Sequence, residues 1–463
     1  MSTPSTNPAL TGKIVPTFFY YVLPSIVGLV ALTTANLVDG IVVGNYVGSN
    51  SLASITILIP YFTLMFGIGL MLSIGGSVRA GRYIGENKLD AASSIYSKSM
   101  ITIVIFSILC AILSGFVETH IFTMLGAPLE LFPLLHEYFS IIRWALVIQL
   151  IGMVFYYFVR LDGHPYLATI ALVSGAILNI VLDIIFVGYM SQGLSGAAYA
   201  TAIAQLIQIG ILSCYLLSDK FSSHQRKLRF SLRQTQWKEI ISTAYNGLSE
   251  FINEISAGVI LLLLNWLLIS RYGVDGVAAF TIINYLIFLS LMLSYGVADG
   301  LHLVISQNLG AQQPIRIRHF LITAVTTVLF IGIVLVIILL SFNQHIITVF
   351  LDKNSLPVAS LATQITLIIW PLFLVNGINV ILSCYLTAIH KPLPSTIIAA
   401  SRSLVLPGSL LLLFFWLIPT LQPTIDITED NNFLIALPIA EWCTFLLAVI
   451  LAFYNRPSRL KHE

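Results

Sequence analysis

The sequence predicts an all-α polytopic membrane protein, with twelve transmembrane helices in two pseudo-symmetric six-helix bundles around a central cleft. Three observations predict it: a composition that water would not solvate, a series of about twelve apolar runs, and a repeat between the two halves of the chain. Of 463 residues, 57% are hydrophobic and 9% charged, and the mean hydropathy is +0.94. Most of such a chain is solvated by lipid, and no stretch is left for a sizeable soluble domain. The opening MSTPSTNPALTG lacks a basic segment before a cleavage site, so the first apolar run is expected to stay as a membrane helix. The 22 basic and 20 acidic residues nearly balance, which gives no reason to expect a nucleic-acid partner. The chain is expected to work as a monomer in contact with membrane lipid. Cys110, Cys214, Cys384 and Cys443 lie in apolar runs at no metal-ligand spacing and read as small buried hydrophobes.

Apolar runs long enough to cross a bilayer fall at about 14–44, 52–79, 95–117, 132–158, 165–189, 193–217, 239–270, 276–305, 317–342, 357–387, 394–418 and 432–454. Pro24, Pro60, Pro371, Pro407 and Pro438 fall inside these runs, and each removes a backbone donor and marks an expected bend. Orientation follows from the basic residues. Arg79, Arg82, Lys88 and Lys98 follow span two, and Arg160 follows span four. Lys220, Arg226, Lys227, Arg229, Arg233 and Lys238 follow span six; Arg316 and Arg318 follow span eight, and Lys391 follows span ten. Arg456, Arg459 and Lys461 end the chain. Arg271 and Lys353 are the exceptions on the opposite side, where the loop after span eleven carries Asp426, Glu429 and Asp430. Both termini are therefore expected on the cytoplasmic side of a cell membrane.

A single offset of 225 pairs Gly48 with Gly273, Ala53 with Ala278, Thr56 with Thr281, Gly75 with Gly300 and Gly85 with Gly310. Six spans per half make this a parallel repeat with its axis along the membrane normal, the plan of transporters built from two bundles. The expected divisions are an N-terminal bundle over 1–217, a basic cytoplasmic linker over 218–238 and a C-terminal bundle over 239–463.

Acids within the spans include Asp39, Asp183, Glu250, Glu254, Asp299 and Glu441. An intramembrane carboxylate costs roughly 2.5–3.5 kcal/mol on insertion scales and is kept for ion or proton handling more often than for architecture. Counted from the outer ends of their spans, Asp39 and Asp183 lie at a similar depth, roughly 8–9 Å at 1.5 Å per residue. Asn179 is one turn from Asp183 on the same face, and Thr201 in the sixth span reaches a comparable level. Two carboxylates, an amide and a hydroxyl at one level could bind a proton or a hard cation such as sodium. The alternative is that each is satisfied separately by its neighbours. Asn246, Glu250 and Glu254, at i, i+4 and i+8, form a second candidate stripe for coupling or substrate, or simply a water-facing wall. Asp299 reads as solvated or paired with arginine, Glu441 as a weaker candidate, and Glu137 and Arg143 as a pair or as reaching toward a boundary. No HExxH, GxSxG or P-loop sequence appears. Nothing therefore points to an enzyme or to a cofactor, and transport would draw on an ion gradient.

These residues resemble the multidrug and toxic compound extrusion (MATE) transporters, whose superfamily also contains lipid-linked oligosaccharide flippases. The resemblance runs over essentially the whole chain. It rests on NLVDGIVVGNYVGSNSLASITILIP in spans one and two, RLDGHPYLATIALVSGAILNIVLDIIFV into span five, GLSGAAYATAIAQ in span six, GLSEFINEISAGVILLLLN in span seven and VADGLHLVISQNLGA in span eight. It implies export of small amphipathic and cationic compounds in exchange for protons or sodium. The similarity to the DinF-like branch implies coupling through Asp39, Asn179, Asp183 and Thr201, with Pro24 as the kink of the first helix. Other branches use a glutamate in the seventh helix, which Glu254 roughly answers, and an aspartate in the tenth, where this chain has no acid. Export of a lipid-linked or other amphipathic metabolite is the alternative; a flippase would be expected to line its cavity with Arg and Lys.

Overall fold

A computed structural model describes residues 7–217, 228–343, 356–421 and 431–462. Positions 218–227, Lys353 and the acidic loop with Asp426, Glu429 and Asp430 lie outside the described residues. Every regular element among the described residues is helical. In lipid that is the expected outcome, because an open chain must satisfy its backbone polar groups within each segment.

The first six spans are α1 (Ile14–Tyr46), α2 (Ser49–Gly85), α3 (Leu89–Phe116), α4 (Phe132–Leu161), α5 (Pro165–Asp183) and α6 (Gly193–Leu217). The second set is α7 (Leu248–Gly273), α8 (Asp275–Gly310), α9 (Pro314–Ser341), α10 (Leu356–Ile369 with Leu372–Ala388), α11 (Pro392–Ala400 with Leu406–Leu421) and α12 (Ala436–Tyr454). Among the described residues, eleven helices pass as membrane spans, and the bent pair in α10 makes the twelfth. A π-helical turn, Ile184–Tyr189, prolongs α5, and another, Ser401–Val405, interrupts α11.

The prolines act differently according to position. Pro371 separates the two parts of α10, which meet at 53°. Trp442 in α12 donates its indole N–H to the Pro371 carbonyl at 3.1 Å. Pro438 stands in the first turn of α12, where a missing N–H is cheap, and Pro407 directly follows the π turn of α11, inside the span. Helices α1 and α2 continue past Pro24 and Pro60 without a break.

The seventh span begins later than the apolar pattern suggests. Residues Lys238–Asn246 form a separate short helix that ends at Gly247. A side chain at Gly247 would run into the Met71 backbone of α2, so glycine permits the close crossing there and ends the short helix.

By contact density the chain divides into two compact units: Met1–Phe251 with Leu303–Gln313, and Ile252–His302 with Pro314–Glu463. In the first, Phe122, Leu135, Phe139, Val187 and Leu194 pack one core cluster, and Phe155, Tyr156, Leu172 and Tyr215 another. In the second, Leu267, Phe280, Ile283, Ile365, Phe373 and Phe433 form the main cluster.

The repeat is visible in the backbone. Gly48 and Gly273, paired by the offset of 225, both take positive φ, 113° and 62°, at the turns that close α1 to α2 and α7 to α8. Gly85 sits against the Gln307 carbonyl, and Gly310 against that of Arg82. These four residues are two offset-related pairs, so the ends of α2 and α8 cross about a local two-fold, both within the first unit.

Candidate functional site

The candidate coupling residues come from three neighbouring helices of the first unit. Asp39 projects from α1, Asn179 and Asp183 from α5, and Thr201 from α6; α5 packs against both α1 and α6. The spacing in α5 puts its amide and carboxylate one turn apart on the buried face. Asp183 is fully buried. Asn179, also buried, donates from Nδ2 to Thr201 Oγ1 at 3.4 Å. The Asp39 and Asp183 carboxyl groups face one another closely enough to interact electrostatically. Among the described residues, neither oxygen of Asp183 has a hydrogen-bond partner, nor does Oδ1 of Asp39.

Two like-charged carboxylates without donors are unfavourable inside a membrane unless a proton or a cation joins them. The arrangement has the right chemistry for either. Carboxylate, amide and hydroxyl oxygens are the donors a hard monovalent cation takes, and an unpaired carboxyl oxygen takes a proton.

Tyr138 completes the cluster and was invisible in the sequence reading. It is buried in α4, and both aspartates lie within electrostatic range of its phenol. Its neighbours Glu137 and Arg143 do not pair with each other. Glu137 instead accepts hydrogen bonds from Ser195 N at 3.0 Å and Ser195 Oγ at 2.7 Å, capping the start of α6, while Arg143 approaches Glu118 at 3.8 Å. A seven-residue helix, Glu118–Met124, brings Glu118 to that position.

Pro24 lies where α1 is braced from two sides. Thr169 in α5 donates to the Pro24 carbonyl at 2.8 Å, and Ser25 donates to Tyr21 O at 2.8 Å. The fully buried Arg160 of α4 donates to Ser25 Oγ and stacks over the Tyr156 ring at 4.9 Å. Polar side chains of α4 and α5 thus support the one turn of α1 that lacks a ladder hydrogen bond.

Of the second candidate stripe, Glu250 and Glu254 share α7, but Asn246 closes the preceding short helix, so the three do not stand on one continuous helix. Asp299 is buried rather than solvated. In the second unit, Glu441 of α12 accepts from Asn379 Nδ2 of α10 at 2.6 Å. It faces Arg402, which stands in the π turn of α11 and donates to Tyr295 OH at 2.8 Å and Asn253 Oδ1 at 3.2 Å. Arg402 is the second residue the sequence reading passed over. Among the described residues no group of three or more His, Cys, Asp or Glu could hold a metal by itself.

Twelve apolar helices in two offset-related sets, with a pair of facing acids in the first unit, define a multi-pass membrane transporter. A profile of the MatE family matches residues 24–185 and 254–409, and the chain belongs to that family of MATE transporters. The chain is 23% identical over 390 residues to "Multidrug export protein MepA" of Staphylococcus saprophyticus, with 84% of each chain covered. It is 26% identical over 391 residues to "FAD transporter" of Shewanella oneidensis, covering 83% of this chain and 84% of that one. Among solved structures, one described as the outward-facing conformation of a multidrug resistance MATE family transporter of the MOP superfamily superposes with a TM-score of 0.87. It is 22% identical and covers all of both chains, a likeness of fold.

Proposed function

We propose that the chain is a cation-coupled antiporter that exports small amphipathic, organic cationic compounds by alternating access. The observation that carries this reading is the facing of two donor-poor carboxylates, buried Asp183 and half-buried Asp39, on different helices of one unit. In this reading protons or sodium entering from outside join the two acids, with Asn179 and Thr201 supplying neutral oxygens. Loss of their mutual repulsion lets α1 move against α5 about its weakest turn, at Pro24, and lowers affinity for the exported compound. Only unequal ion affinity in the two states can drive the cycle. The termini and basic loops then face the cytoplasm of the cell whose plasma membrane holds the protein. The likeness to relatives named multidrug export protein MepA supports export of drugs.

The deciding experiment is dye efflux from proteoliposomes under separately imposed pH and sodium gradients. Efflux that follows one gradient in wild type and is lost in Asp39→Asn supports the reading, and undiminished gradient-driven export in that variant would remove the pair from the mechanism.

A second reading, export of an anionic amphipathic metabolite, is favoured by Arg402, a buried cation in the second unit, and by the relative named as an FAD transporter. Competition of dye efflux by a flavin dinucleotide, lost in Arg402→Gln, would support it; its absence in wild type would set it aside.

A further inference from the structure

The segment between the short helix Lys238–Asn246 and α6 is fastened to α3 by its backbone. Leu228 N donates to Tyr215 OH at 2.9 Å, and that hydroxyl donates to Asp162 Oδ2 at 2.6 Å. Arg229 N donates to Ser93 Oγ at 3.1 Å and Ser231 N to Ser97 Oγ at 2.8 Å. Lys98, buried in α3, donates to the Thr235 carbonyl, and Ser94 Oγ and Thr235 Oγ1 are 2.8 Å apart. Residues 228–235 are therefore a strap held down by a serine ladder.

Fixing the backbone fixes what points away. Arg229, Phe230, Leu232 and Arg233 are exposed, Phe230 by 68%. The next turns continue the pattern. Trp237, Ile241 and Tyr245 recur every fourth residue along one face of the short helix and are exposed by 52%, 72% and 48%. The opposite face, with Ile240, Thr243 and Asn246, is buried. Lys238 is exposed beside Trp237. The segment's acid, Glu239, is engaged elsewhere: it accepts from Tyr83 OH at 2.8 Å and pairs with Arg79 at 3.4 Å. Arg229, Arg233 and Lys238 form no ion pair among the described residues.

Large apolar side chains and unpaired cations, alternating on one rigid surface that continues directly into a membrane span, match the chemistry of a bilayer interface. The aromatic and aliphatic groups enter the acyl boundary and the cations meet headgroup phosphates. We propose that this strap and short helix form a docking surface for anionic phospholipid on the face of the membrane that carries the basic loops. A zwitterionic headgroup satisfies the apolar half of the surface but leaves three cations without net counter-charge, so an acidic lipid is preferred. The occupant presses the strap against α3 and holds the start of α7 in register with α2, through the Gly247 crossing.

The test is photolabelling of the full chain in nanodiscs with phosphatidylglycerol or phosphatidylcholine carrying the same photoreactive headgroup-proximal group. Labelling of residues 229–241 should be several-fold stronger with the glycerol lipid, and each of Arg229→Gln, Arg233→Gln and Lys238→Gln should reduce it by roughly fivefold at low salt. Equal labelling by the two lipids in wild type would overturn the proposal without any variant. So would undiminished labelling in the triple variant. The readout involves neither drug nor coupling ion, so it stands or falls apart from the antiport reading.

Discussion

Asp39 and Asp183 have meaning only as a pair. Asp183 alone would be a buried acid in search of a donor; with Asp39 facing it and Oδ1 of Asp39 likewise lacking one, a proton or cation between them relieves both. Asp183→Asn should therefore uncouple export as Asp39→Asn should, lowering ion-driven efflux by roughly 5–150-fold, the range of ordinary coupling energies. Thr201→Val removes the hydroxyl that receives the Asn179 amide and should raise the half-saturating ion concentration by about fivefold, equivalent to ~1 kcal/mol for one hydrogen bond. Both are measured by efflux against graded pH or sodium. The sequence pointed to these residues in two ways: intervals from the span ends gave Asp39, Asp183 and Thr201 similar depths, and the one-turn spacing put Asn179 on the face of Asp183. Tyr138 escaped that count because a tyrosine inside an apolar helix carries no signal until the helix opposite is known. Arg402 escaped for another reason: one cation in a long apolar run reads as a local penalty, and its partners Asn253, Tyr295 and Glu441 come from three other helices.

Helices α1 and α2 show how differently a proline and a glycine act within an element. Pro24 leaves one turn of α1 without its ladder bond, and Thr169 and Arg160 hold that turn from outside. Pro24→Ala restores the donor; since an interior proline costs about 3 kcal/mol, the variant should unfold at higher temperature yet transport more slowly, as seen by thermal unfolding and turnover on one preparation. Equal turnover would exclude α1 bending from the cycle. At the other end of α2, Gly85→Leu would drive a side chain into the Gln307 backbone. Overpacking of this kind costs typically 1–3 kcal/mol, read as a lowered unfolding midpoint. The sequence offset paired Gly85 with Gly310 but was silent on their contact, because a repeat reports likeness and not proximity. The same limit applied to span seven, where the hydrophobic run passed through Gly247 without marking the crossing that ends the short helix there.

At the scale of the whole molecule, the twelve spans were legible because lipid leaves a helix few ways to be built, and apolar length counts turns directly. The basic strap was legible only as charge. That its backbone is tied to Ser93, Ser97 and Lys98 depends on serines whose partners lie well over a hundred residues away. Imposing a pH gradient and a sodium gradient in turn on one proteoliposome preparation should show a single driving cation, with the other gradient leaving efflux at its ungraded rate.

The π turns have a mechanical consequence. One follows Asp183 at once in the fifth span, the other contains Arg402 in the eleventh, which is the fifth of its own half. Such a turn stores one residue more than the α ladder requires. Returning that residue to the ladder swivels everything on one side by about 100°, since 3.6 residues complete a circle. Each unit thus carries, beside a buried charge, a turn at which such a rearrangement would re-aim side chains without breaking the helix that bears them.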